Sequence, residues 1–359
     1  MDNLTNDYYE HGVENADEVN FRSAQKTIGS VAMKYFIFSV LTIVVQLLYS
    51  IIMGICIGAT GHEEWMEESW FSFSIIIIPL YLVSIPILYL MLRNNESKVP
   101  ADEKLSLGEM IKFACMSFAI TAVFSIVGTL VSSLISTLIG VDVLDNSALQ
   151  ELMMESDSFW RILSVGILAP IFEELVFRKF LIDRICKYGE VMAIILSGVM
   201  FGLFHGNFEQ FFYATALGML FAYIYVRTGK IYYTMILHAI INLNSSIIGV
   251  FMLKIVNDEK VNELMNNVEN LSINDIGGMK DGLAKISIVV VYYLIEVMIW
   301  LAGIILFALY TKKIRIEPRE MEVPKGRRVE VGLRTAGMIL FIIFSLLMFV
   351  YNYWSMTMK

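Results

Sequence analysis

The sequence is poor in charge, poor in cysteine and empty of several familiar motifs, and each shortage removes a class of protein. Only 17% of its 359 residues are charged while 57% are hydrophobic, far too apolar a balance for a soluble domain with one buried core. Three cysteines, Cys56, Cys115 and Cys186, lie in or beside apolar runs without paired spacing, so neither a disulfide framework nor a cysteine zinc cluster is indicated. A formal charge of −8 argues against a nucleic-acid partner. There is no fixed-period repeat, low-complexity tract or alternating β pattern, which removes solenoids and outer-membrane barrels. The first thirty-odd residues, with Tyr8, Tyr9, Glu10 and Asp17, lack the basic-then-apolar layout of a cleaved signal peptide. The first apolar run therefore reads as an uncleaved signal anchor.

What the chain has instead is long apolar runs. A helix needs about 20 largely apolar residues to cross the hydrocarbon core. Nine stretches qualify as candidates: 35–60, 70–92, 110–140, 157–181, 190–206, 208–226, 231–256, 284–310 and 335–356. The expected fold is an all-α polytopic membrane protein, a bundle of about nine transmembrane helices around a central four-helix core. The connections alternate in sign. Basic segments are Arg93 to Lys104, Arg178 to Lys187, Arg227 to Lys230 and Lys312 to Arg334. Acidic ones hold Glu63, Glu64 and Glu67, then Asp142, Asp145, Glu151, Glu155 and Asp157, then Asp258 to Asp281. The positive-inside tendency puts the basic set in the cytoplasm, giving a multi-pass cell-membrane protein with a cytoplasmic N-terminus and an extracellular C-terminus. The long outer loop 257–282 reads as a solvated connection, with a short surface helix as the alternative. The basic linker 311–334 is a candidate for contact with anionic lipid.

One run breaks the apolar rule. Ile171-Phe172-Glu173-Glu174-Leu175-Val176-Phe177-Arg178 puts two acids and a base inside a span, where an ionised side chain costs from about 2.5 kcal/mol upward and calls for a partner. Glu174 and Arg178 are four apart on one helix face, while Glu173 is turned about 100° away from Glu174. The candidates to meet Glu173 are His205 and His238 on later helices. Phe201 and His205 share one face, and His238 and Asn242 share another. An acid, two imidazoles and an amide inside a bundle suit attack of water on a peptide carbonyl: a buried carboxylate beside an imidazole removes the proton, and imidazole and amide donors stabilise the oxyanion. Glu296, mid-span in the eighth run, is a further intramembrane acid that could approach this site or Arg178. Asn244, Ser245 and Ser246 read as interhelical glue, and Lys179 as a snorkelling boundary residue.

Glu173-Glu174-x-x-x-Arg178, Phe201-x-x-x-His205 and His238-x-x-x-Asn242, in that order on successive membrane helices, resemble the three motifs of the CPBP family, the CAAX protease and bacteriocin-processing endopeptidases that include Rce1-type enzymes. The resemblance covers the central third of the chain. It implies that Glu173 activates water with the help of His205, that His238 and Asn242 form the oxyanion site, and that Glu174 and Arg178 support them. It divides the chain into a polar cytoplasmic segment (1–34), N-terminal transmembrane helices (35–156), a catalytic core of the CPBP type (157–256), and an outer loop with C-terminal transmembrane helices (257–359). The expected partners are membrane lipid and a membrane-associated peptide or protein, lipidated or leader-bearing.

Two alternatives stand beside that reading. Glu173, His205 and His238 with a water would make a catalytic zinc set, although no cofactor is favoured. A non-enzymatic bacteriocin-immunity or adaptor protein is the other. Other intramembrane protease chemistries fit poorly: there is no Gly-x-Ser-Gly or Gly-x-Gly-Asp, and His62-Glu63-Glu64-Trp65-Met66 lacks the second histidine of a zinc helix. A proton or ion transporter would show paired broken helices in repeat-related positions, and none is visible.

Overall fold

The computed structural model describes residues 2–140, 148–259, 261–262 and 276–358. Parts of two acidic connections, including Asp142, Asp145 and most of 257–282, lie outside the described residues. Everything regular among the described residues is helical, so the fold is all-α. In chain order the helices are α1 (Asp2–Thr60), α2 (Ser69–Leu92), α3 (Leu107–Ile139), α4 (Ala148–Glu155), α5 (158–185), α6 (Glu190–Phe204), α7 (Phe208–Thr228), α8 (Ile231–Val256), α9 (Ile276–Thr311), α10 (Arg328–Leu333) and α11 (Ala336–Met356).

Seven of these, α1, α2, α3, α7, α8, α9 and α11, are long and apolar enough to cross a membrane by length and composition. Two of the nine expected spans behave differently for visible reasons. Helix α5 carries Glu173, Glu174, Arg178, Lys179, Asp183 and Arg184 in its second half, and α6 has only 15 residues. The protein is a multi-pass membrane bundle in which α6 and the second half of α5 are largely buried. The stretch expected as a polar segment ahead of the first span is helical from Asp2 and continuous with it, and it buries Phe21, Ala24, Ile28 and Val31.

Local chemistry explains the joints. Ser106 opens α3 with a capping box closed by Glu109. Between α6 and α7 the chain reverses in three residues: Gly206 takes a positive φ of 68°, and the Asn207 side chain accepts the Gln210 N–H at 2.8 Å to start α7. The two helices then run backbone against backbone. A Cβ at Gly202 would meet Thr215 Oγ1 at 2.0 Å, and one at Gly198 would meet the Thr215 carbonyl at 2.8 Å. Small residues four apart allow that approach, as they do wherever membrane helices pack without a hydrophobic driving force.

All four basic connections meet at one end of the bundle. Lys98 N–H donates to the Asp183 carbonyl at 2.9 Å, Lys230 pairs with Asp102 at 2.8 Å, and Arg227 and Lys187 pair with Glu103 and Glu96. The segment after α9 straps across them: Arg319 reaches the Pro100 carbonyl at 3.0 Å and Glu190, and Val323 N–H donates to the Tyr188 carbonyl at 3.0 Å. Arg327 pairs with Glu18 at 2.6 Å and lies over the Phe21 ring. At the other end Asp157 N–H donates to Ser69 Oγ at 2.9 Å.

Candidate functional site

The site is built where α5 loses its regular winding. Residues 162–168 and 175–180 are wound in wider π-type turns, on either side of a short α-helical piece, Ala169–Glu174. In the first wide stretch the Ala169 N–H bonds the Ser164 carbonyl, five residues back. By that pattern the Val165 carbonyl would receive its bond from residue 170, which is Pro170 and has no N–H to give. The carbonyl is taken instead by Asn242 on α8, whose Nδ2 donates to it at 2.9 Å. The helices come close enough because Gly166 lacks a side chain, since a Cβ there would stand 2.3 Å from Leu243 Cδ2. Interruptions of this kind recur at functional sites in helices.

One turn further on, Glu173 and Glu174 part company. Glu174 is wholly buried, with Oε2 3.0 Å from Arg178 Nε and Oε1 3.0 Å from His238 Nδ1. Glu173 keeps 21% of its side chain exposed and sets Oε2 3.6 Å from His238 Nε2. At 3.6 Å the two atoms share no direct hydrogen bond, but both can touch one water at about 2.8 Å. His238 therefore stands between the two acids, closer to the buried one.

His205 follows the last turn of α6 and turns Nδ1 to the Phe201 carbonyl at 2.9 Å. A carbonyl only accepts, so this bond fixes the proton on Nδ1 and leaves Nε2 bare when the ring is neutral. Its imidazole and the Glu173 carboxylate lie within electrostatic reach of each other. Phe201 occupies the centre of the cluster. Its ring meets His205 edge-on at 4.9 Å and His238 edge-on at 5.8 Å, and the Arg178 guanidinium lies over it at 4.7 Å. Arg178 is thus held by one carboxylate and by aromatic faces, including Phe221 at 5.8 Å, with its Nη atoms buried.

All six residues expected at the site, Glu173, Glu174, Arg178, His205, His238 and Asn242, come from α5, the end of α6 and α8, and they share this interior. Glu296 does not join them. It accepts instead from Asn244 Nδ2 at 2.9 Å, in the C-terminal half of α8. Sequence reasoning named Phe201 within a motif but gave it no central place, and it missed the Val165 carbonyl with the Pro170 that frees it. Proline five residues beyond a small-residue stretch, opposite an asparagine, was the available signal. Among the described residues no group of three His, Cys, Asp or Glu side chains is arranged to hold a metal ion.

Residues 155–244, which hold every one of these side chains, match the family model described as Type II CAAX prenyl endopeptidase Rce1-like. The match runs from the end of α4 into α8 and leaves the flanking helices outside it. The putative membrane peptidase YdiL of Bacillus subtilis (strain 168) is 33% identical over 78 residues, 21% of this chain and 32% of the relative. The membrane-embedded CAAX protease MroQ of Staphylococcus aureus (strain USA300) is 25% identical over 180 residues, 47% of this chain and 72% of the relative. The aligned part is thus about a third of the first relative and most of the second. No solved structure matches the chain.

Proposed function

We propose that the protein is an intramembrane endopeptidase that hydrolyses a peptide bond of a membrane-associated substrate, lipid-anchored or leader-bearing, with water activated by Glu173. The observation that carries this reading is the difference between two adjacent acids: Glu174 is buried and ion-paired behind His238, while Glu173 is the accessible one facing the open nitrogen of the same ring.

Charge balance assigns the protons. With both imidazoles neutral, Glu173, Glu174 and Arg178 sum to one negative charge in a low-dielectric interior. One proton held between Glu173 and His238 Nε2 brings the cluster to neutrality. His238 donates Nδ1–H to Glu174, which Arg178 keeps ionised, so a second proton on Nε2 sits between two carboxylates. As water attacks the carbonyl carbon, Glu173 takes the water proton, assisted by the bare Nε2 of His205. His238 Nε2–H and the second amide N–H of Asn242, the one not given to Val165, face the developing oxyanion. The tetrahedral intermediate collapses when Glu173 returns the proton to the leaving amine. We assign the basic end of the bundle to the cytoplasm by the positive-inside tendency, with the N-terminus inside and the C-terminus outside.

The test is cleavage of a pool of membrane-associated peptides by detergent-purified protein, wild type beside Glu173→Gln, with and without a strong chelator. Products from wild type and at least about a thousandfold fewer from the variant are expected, unchanged by chelator. Equal activity in both removes Glu173 from the mechanism, and reversible loss on chelation moves the same residues to zinc chemistry. A binding or immunity role would survive the near-isosteric amide.

A further inference from the structure

Two grooves open sideways from the bundle, and they are chemically opposite. One, of about 490 Å³ between α3, α6, α7 and α9, is lined almost wholly by apolar side chains such as Ile120, Ile195 and Leu220. The other, of about 470 Å³ between α3, α8 and α9, carries Thr121, Ser125, Asn244, Ser245, Tyr292 and Glu296. Glu296 is 5% exposed and is held by Asn244 Nδ2 at 2.9 Å, while the same amide lies 3.3 Å from the Tyr292 hydroxyl. Thr121 Oγ1 is buried without a hydrogen-bond partner. Polar groups at bilayer depth are costly, and a lipid chain offers nothing to satisfy them.

We propose that this second groove holds an unwound stretch of the peptide substrate beside the scissile bond, an inference that rests on the peptidase reading. A peptide bond must leave its helix to be attacked, and the backbone N–H and C=O groups released in the membrane then need partners. Glu296 and Tyr292 offer acceptors, and Thr121 and Ser125 offer hydroxyls that both donate and accept. The groove is placed for the task. Ser245 follows His238 by seven residues and shares its stripe on α8, while Ile241, next to Asn242, forms part of the groove wall. A substrate strand lying there runs alongside the helix that supplies His238 and Asn242.

The experiment uses the full-length protein and a peptide that wild type cleaves and Glu173→Gln does not; if no such peptide exists, the peptidase reading itself has failed. With that peptide in hand, Ser125→Trp, which fills the groove, raises KM about tenfold with kcat within about twofold, and Glu296→Gln, which keeps the shape, raises KM about threefold. Ile195→Trp, filling the apolar groove, changes neither. In the Glu173→Gln background, a benzophenone amino acid at position 125 captures the peptide and one at position 195 does not. Unchanged KM in both Ser125→Trp and Glu296→Gln overturns the proposal. So does capture of phospholipid at position 125 that added peptide fails to displace. Thermal unfolding of each variant separates lost binding from lost fold.

Discussion

Of the acids buried among the described residues, Glu174 and Glu296 are satisfied in different ways. Glu174 has a guanidinium on one oxygen and an imidazole on the other, and none of its side chain is exposed. Glu296 has the neutral donor Asn244 and the nearby Tyr292 hydroxyl, and it borders a groove. Full burial demands a counter-charge, because a carboxylate without one cannot stay ionised in low dielectric. Partial access to a groove does not. The comparison separates an acid built into the machinery from an acid that lines a surface, although both stand out equally in the sequence as charges inside apolar runs.

The largest effect should come from breaking the charged pair. Arg178→Ala leaves Glu174 buried without its cation and should cost about 3–5 kcal/mol of stability, whereas Glu296→Gln, at a site held by neutral donors, should cost less than about 1 kcal/mol. Thermal unfolding in detergent orders the two, and equal losses would erase the distinction. Next, Glu174→Gln keeps the shape but removes the negative charge behind His238. Activity should fall by about 100-fold or more with substrate binding little changed, read as kcat against KM.

A smaller effect tests the joint in α5. Pro170→Ala supplies an N–H that competes with Asn242 for the Val165 carbonyl, and kcat should fall about tenfold. The loss should vanish in the Asn242→Ala background, where there is no amide left to misplace. The smallest effect belongs to the basic end. Lys187 beside Glu96 and Lys230 beside Asp102 hold both carboxyls below their ordinary values. These pairs contribute stability that is present above the ordinary carboxylate range and lost as pH falls through the lowered values. The Glu96→Gln, Asp102→Asn double variant should flatten the acid limb of thermal stability slightly while leaving neutral pH almost unchanged.

Much of this arrangement was legible from residue order alone. The apolar runs matched some helices closely, since α8 spans 231–256 as expected and α2 begins one residue early, whereas α1 already starts at Asp2 and α9 at Ile276. The face-splitting of Glu173 and Glu174 followed from helical periodicity. Other features depend on which helices become neighbours. His238 proved to touch both acids rather than choosing Glu173, because α8 packs against the face of α5 that holds Glu174. Glu296 met Asn244 because α9 packs along the C-terminal part of α8. The wide turns of α5 were hidden for a different reason: they arise from hydrogen-bond pattern, and hydropathy does not record it.

The strap of 317–328 across the basic end has a consequence for how the protein is made. The carbonyls of Lys187 and Tyr188, at the hinge between α5 and α6, receive their N–H partners from Met321 and Val323, and Glu190 at the start of α6 receives Arg319 and the Glu317 N–H. These donors are synthesised more than a hundred residues after the groups they satisfy. A ribosome that has just finished α8 has therefore delivered every residue of the candidate site but not the piece that fastens two of its helices together. Nascent chains at that stage would be inserted yet loose, and the protein would become competent only when its last quarter arrives.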